Sequence, residues 1–152
     1  MFTRLFTPRW EHADPRIRRE ALESGAAPAE AVVKAAREDK DPEVRRCALG
    51  LLDDLALLTE LLATETVPSL REVAGQRQRV LLAGPLHTGP PLELRLETLQ
   101  QARAPELSVF LVRQAEVADV RVAALEQVKE TALLCDIAIG DAVAAVRRAA
   151  LE

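Results

Sequence analysis

The sequence predicts an all-α fold, an α-solenoid of about six short two-helix repeats, and three observations carry that prediction. A short motif recurs at a near-constant spacing, each recurrence sits on an amphipathic helical pattern, and the composition suits helix pairs. An apolar residue followed by arginine occurs at Ile17-Arg18, Val44-Arg45, Leu70-Arg71, Leu94-Arg95, Val120-Arg121 and Val146-Arg147, at spacings of 27, 26, 24, 26 and 26 residues. Three residues after each arginine stands Ala21, Ala48, Ala74, Thr98, Ala124 or Ala150. The next position holds Leu22, Leu49, Gly75, Leu99, Leu125 or Leu151. About 26 residues accommodate two helices of roughly three turns and two tight turns. The small residue lets neighbouring helices approach, and the leucine fills the space between layers.

Hydrophobic residues make up 49% of the chain but aromatic residues only 3%, so the core is built from Ala, Leu and Val. Sheets favour β-branched and aromatic residues, and close-packed helices do not need them. At 152 residues the chain is long enough to bury a continuous core, one domain by the usual prior. The formal net charge of −4, with both signs interspersed, argues against a general nucleic-acid binder, whose affinity rests on neutralising phosphates. Cys47 and Cys135 have neither metal-type spacing nor a disulfide framework, and Cys47 beside the alanine column reads as a small buried thiol. No apolar run reaches the ~20 residues of a membrane span, and no secretory leader is visible, which places the expected location in the cytoplasm.

Taken in order, residues 1–13 read as a capping segment with Phe2, Leu5, Phe6 and Trp10 covering the open end of the first repeat. The sharper alternative is an apolar patch that docks on a membrane surface or a partner, and the exposure of Trp10 discriminates between them. The solenoid then spans 14–152. Asp14-Pro15 and Asp41-Pro42 start the first two arginine-bearing helices, the acid capping free N–H groups and the proline suiting the first helical position. Ala29, Val32, Val33 and Ala36 mark the second helix of the first hairpin. Asp53-Asp54 turns the chain into a helix with Leu55, Leu58, Leu61 and Leu62. Pro68 opens the third copy, where Gly75 permits close contact or shortens the helix. Gly84–Pro91 is the one irregular stretch, expected to be an ordered-to-flexible loop that is either a bare connection or, through His87, a candidate contact site. Arginine-bearing helices follow over 92–102 and 118–128, with partner helices from Pro105 and over 131–140. A sixth arginine-bearing helix ends the sequence inside its repeat, which reads as a piece of a longer polypeptide.

With Asp-Pro-x-Val-Arg-x-x-Ala-Leu as its unit, intact at 41–49 and nearly so at 14–22, the sequence resembles HEAT-like repeats of the short, bilin-lyase type. That resemblance implies a right-handed α-superhelix with the arginine-bearing helices lining the concave layer, and a scaffold that binds protein or another macromolecule. The opening Phe2-x-x-Leu5-Phe6-x-Pro8-x-Trp10-x-His12-x-Asp14-Pro15 is similar to the start of a proteobacterial family. Its members join an N-terminal helical-repeat region to a longer, coiled-coil-like domain of unknown function.

The arginine column is the only repeated polar feature, and it has two readings. In the structural one each arginine pairs with a helix-start acid, as Asp14 with Arg18 and Asp41 with Arg45 at i,i+4, or with carbonyls of the adjacent repeat. In the functional one Arg18, Arg45, Arg71, Arg95, Arg121 and Arg147 form a basic row for an acidic partner or a nucleic-acid backbone. HEAT-like DNA glycosylases grip the duplex in their groove, but here aromatic residues to stack on a base are scarce. HEAT-like di-iron hydroxylases use His-Glu pairs, whereas His12 and His87 are followed by Ala and Thr. No phosphate loop, nucleophile elbow or metal cluster appears. The expectation is a non-catalytic scaffold without a cofactor, binding a protein partner or a downstream region of its own polypeptide. Nucleic acid is the alternative partner.

Overall fold

A computed structural model describes residues 7–152. Within them the chain is all-α: a single 3-10 turn at Arg9–Glu11, then α1 (Pro15–Glu23), α2 (Ala29–Glu38), α3 (Pro42–Leu51), α4 (Leu55–Thr64) and α5 (Pro68–Ala83). These are followed by α6 (Leu92–Ala102), α7 (Pro105–Gln114), α8 (Ala118–Leu125), α9 (Thr131–Gly140) and α10 (Ala144–Ala149). No strand occurs among the described residues, and none of their helices is long and apolar enough to cross a membrane. Phe2, Leu5 and Phe6 of the expected capping segment lie outside the described residues.

Helix starts follow the local chemistry. The Asp14 carboxylate accepts the Arg16 N–H, and Asp41 Oδ1 accepts those of Glu43 and Val44, each just ahead of a proline at the first helical position. Asp54 does the same for Leu57 at the head of α4. α1 ends at Ser24, and Gly25 turns the chain with a φ of 70°. α6 ends on Arg103 in the left-handed region, at φ 41°, a conformation usually left to glycine.

The column positions point inward. Ala21, Ala48, Ala74, Thr98, Ala124 and Ala150 are all buried, as are Leu22, Leu49, Leu99 and Leu125, while Leu151 is exposed. The third copy departs from the two-helix plan. α5 runs unbroken through Gly75 for 16 residues, so the chain reaches Gly84 without a separate second helix. The fifth arginine-bearing helix is shorter than its sequence pattern, because Gln127 and Val128 close tight turns onto Ala124 and Leu125.

By its contacts the chain divides into two compact units, one comprising Met1–Leu52 and Glu60–Arg77, the other Asp53–Thr59 and Gln78–Glu152. In the first, α3 packs on both α1 and α2. In the second, α8 packs on α6, α7 and α10, and α10 also meets α9. Successive arginine-bearing helices therefore touch within each unit, α1 on α3, α6 on α8 and α8 on α10.

Candidate functional site

The arginine column begins at the chain's own turns. Arg18 forks onto Asp39, with Nε and Nη2 on the two carboxylate oxygens at 2.8 and 2.7 Å, while Nη1 donates to the carbonyls of His12 and Ala13. Arg45 Nη1 donates to the carbonyl of the same Asp39 at 2.7 Å. In the second unit Arg121 forks onto Asp141 at 2.9 and 3.1 Å and donates to the carbonyls of Ala115 and Glu116. Arg147 Nη1 then reaches the carbonyl of Asp141 at 2.7 Å and that of Ala142. One aspartate thus takes a guanidinium on its side chain from one repeat and a guanidinium on its carbonyl from the next. The result is a ladder.

Its acceptor column was missed by sequence reasoning. Six residues before the arginine stand His12, Asp39, Glu65 and Asp141, and each accepts the N–H two residues ahead, from Asp14, Asp41, Val67 and Val143. A hydrogen-bonding side chain there closes the turn locally before the arginine locks it from the following helix. The signal was available in the same alignment, since Asp39, Glu65 and Asp141 are all acids at one register position. The i,i+4 pairs expected for Arg18 and Arg45 do not form. Asp14 binds Arg16, and Asp41 spends its carboxylate on the helix N-terminus, which leaves Arg18 to the acid of the next turn.

The side chains of Arg18 and Asp39 are 15% and 9% exposed, and those of Arg121 and Asp141 12% and 9%. Burial alone pushes the Asp39 carboxyl up, but Arg18, the Asp41 N–H and Arg45 outweigh it and hold it below the ordinary carboxylate range. For Asp141 burial is likewise overcome, by the Val143 N–H, Arg121 and Arg147. Each pair borders an open groove of matching construction. One, of 770 Å³, is lined by Trp10, His12, Arg18, Lys34, Glu38 and Asp39. The other, of 520 Å³, is lined at the same register by Arg113, Ala115, Arg121, Asp136, Gly140 and Asp141. Trp10 is half-buried at the edge of the first.

Arg95 and Arg71 break the pattern in opposite directions. Arg95 is fully buried, with no carboxylate hydrogen-bonded to it among the described residues. Its Nε donates to the Pro90 carbonyl at 2.8 Å, Nη1 to those of Leu82 and Gly84, and Nη2 to that of Pro85 at 2.8 Å. Burial pulls its pKa down, countered by the charge of Glu116. The Gly84–Pro91 stretch, expected to be flexible, is wrapped around this guanidinium, and Gly89 lies so close that a Cβ would strike it. Leu86, His87 and Thr88 form the exposed outer face of the loop. Arg71 lies on the solvent side of α5, and its side chain makes no hydrogen bond or ion pair among the described residues.

Cys135 is exposed, and Cys47 is half-buried rather than buried, with burial and Glu23 pushing its thiol up, away from the reactive thiolate. Compared with known proteins, the chain matches no family model, no curated protein and no solved structure.

Proposed function

We propose that this chain is a HEAT-like α-solenoid acting as a non-catalytic scaffold, and that it binds a protein partner through the exposed tip of the 84–91 loop. The observation that carries this reading is the Arg95 clamp. A loop held from inside by three carbonyl contacts, from Gly84, Pro85 and Pro90, with Leu82 of α5 as the fourth acceptor, presents Leu86, 44% exposed, with His87 and Thr88 in a fixed arrangement. Pre-ordering a contact loop removes an entropy cost that binding would otherwise carry. Support for stacked repeats comes from the contacts between successive arginine-bearing helices and from the turn that recurs at 12–18, 39–45 and 141–147.

A photoreactive residue at position 87 tests the contact in cells expressing the chain, with the same residue at Glu130 as control. A discrete adduct at 87, absent at 130 and lost with Leu86→Asp, is the expected result. Absence of any adduct specific to 87 overturns the reading.

Nucleic-acid binding through the arginine row has weaker support. The guanidiniums of Arg18, Arg45, Arg95, Arg121 and Arg147 are engaged with internal acceptors, leaving Arg71 as the open member of the column. A duplex DNA titration at low salt is expected to give no mobility shift. A shift that weakens steeply with added salt would favour the nucleic-acid reading instead.

A further inference from the structure

Three copies of the turn hold their arginine in the same way. Arg18 Nη1 donates to the carbonyls of His12 and Ala13, Arg121 Nη1 to those of Ala115 and Glu116, and Arg147 Nη1 to those of Asp141 and Ala142. A guanidinium is planar and rigid, so holding Nη1 on two carbonyls also fixes the direction of its Nε and Nη2 edge. In Arg18 and Arg121 that edge forks onto Asp39 and Asp141, each in the turn of the following hairpin. In Arg147 it bonds to nothing among the described residues. Two apolar residues of the α9–α10 hairpin are open at registers that are covered or engaged elsewhere. Leu151 is 77% exposed, whereas Leu22, Leu49, Leu99 and Leu125 of its column are buried. Ile139, eight residues before Arg147, is 84% exposed. At that register of an earlier hairpin Arg37 reaches α4 of the next one, binding Glu60 at 2.7 and 2.8 Å.

We propose that the α9–α10 hairpin is a docking face for a partner's helical hairpin, one with an aspartate in its turn and an apolar residue opposite Ile139. The aspartate takes the fixed edge of Arg147, as Asp39 and Asp141 take those of Arg18 and Arg121. The apolar residue stands where Glu60 meets Arg37, and Leu151 is covered between the two layers. Charge selects the turn, and the two apolar side chains supply the burial that an ion pair alone would not. A second copy of this chain stacked head to tail does not fit. It would present its first turn, where the acid register holds His12 rather than a carboxylate. The inference rests on the stacked-hairpin part of the function proposed above, not on the contact of the 84–91 loop.

The test joins a second copy of residues 127–152 behind Glu152 of the full chain, and this added hairpin is the probe. Its aspartate then falls 20 residues after Arg147, the spacing of Arg121 and Asp141. Asp136→Leu in the added copy puts an apolar residue at the register of Glu60. Read by NMR, solvent exchange of the Arg147 Nε–H is expected to slow roughly tenfold when the hairpin is added. The thermal midpoint is expected to rise. Asp141→Asn in the added copy alone should return the exchange to the rate of the parent chain. Ile139→Asp in the original hairpin, at a site open in the parent, should reduce the rise. Exchange at Arg147 unchanged by the added hairpin, or slowed equally with asparagine in its turn, overturns the docking face. So does a midpoint that does not rise, or a rise untouched by Ile139→Asp. Protection of the Nε–H in the parent chain that grows with its concentration assigns the face to a second copy, and it too overturns the proposal. None of these readouts involves the loop. Failure here leaves the loop contact standing, and loss of the adduct at position 87 leaves the docking face standing.

Discussion

A guanidinium carries five N–H donors and stays charged at any pH a protein meets, so its surroundings must supply acceptors wherever it is buried. Arg95 obtains them from the backbone of the 84–91 loop and the end of α5. In the sequence it is one more arginine after an apolar residue, indistinguishable from Arg71, which lies open to water. The register was legible, but the environment was not, because acceptors for Arg95 come from Pro-rich backbone that no residue type announces. Two glycines and three prolines suggested mobility in that stretch. The prolines leave several carbonyls unclaimed by local hydrogen bonding, and the arginine collects them. Gly89→Ala tests this packing. Its Cβ would meet the Arg95 guanidinium and the Pro85 carbonyl, and the variant is expected to lose about 1–3 kcal/mol of stability in thermal denaturation. An unchanged midpoint would mean that the loop does not close tightly on Arg95.

At the scale of the element, helices with an Asp-Pro start were readable to within a residue, since the cap and the fixed φ act locally. α1 and α3 begin where Asp14 and Asp41 place them. α8 and α10 have no side-chain cap, and their positions are set by burial of Val120 and Val146 against neighbouring helices. Gly75 shows a local penalty overruled by packing. A helical glycine costs about 1 kcal/mol against alanine, while continuing α5 past it brings Leu81, Leu82 and Ala83 into the core. An added Cβ at position 75 would rest 3.8 Å from a Leu62 methyl, an ordinary contact. Gly75→Ala is therefore expected to raise stability by about 0.5–1 kcal/mol in the same assay. A loss would show that the third copy needs the missing side chain.

Across the whole molecule, one turn design appears in both compact units, with Arg18, Asp39 and Arg45 in the first and Arg121, Asp141 and Arg147 in the second. The arginine, alanine and leucine columns made the period visible in the sequence. The acid column did not stand out because its members include His12 and are replaced by Gly89 and Ala115 in two copies. It also pairs across 20 or 21 residues, beyond the reach of i,i+4 reasoning. The ladder has a pH signature. Asp39 and Asp141 titrate below their ordinary value of 3.8 in the folded chain, so their contribution is complete above that value and is lost as pH falls through the folded pKa. The double variant Asp39→Asn, Asp141→Asn is expected to be less stable at neutral pH. Its stability should also fall less steeply on acidification between about pH 5 and 2. Parallel acid-denaturation curves for the two proteins would remove these carboxylates from the ladder.

Thermal denaturation of Arg121→Ala beside Arg71→Ala tests the ladder most directly, since the two residues are equivalent by sequence and opposite by environment. If the column locks the turns, Arg121→Ala costs about 2–4 kcal/mol by removing the guanidinium from the buried Asp141 carboxylate and from the carbonyls of Ala115 and Glu116. Arg71→Ala then stays within about 0.5 kcal/mol of the parent. Equal losses at the two positions, or a negligible loss at Arg121, would contradict the ladder.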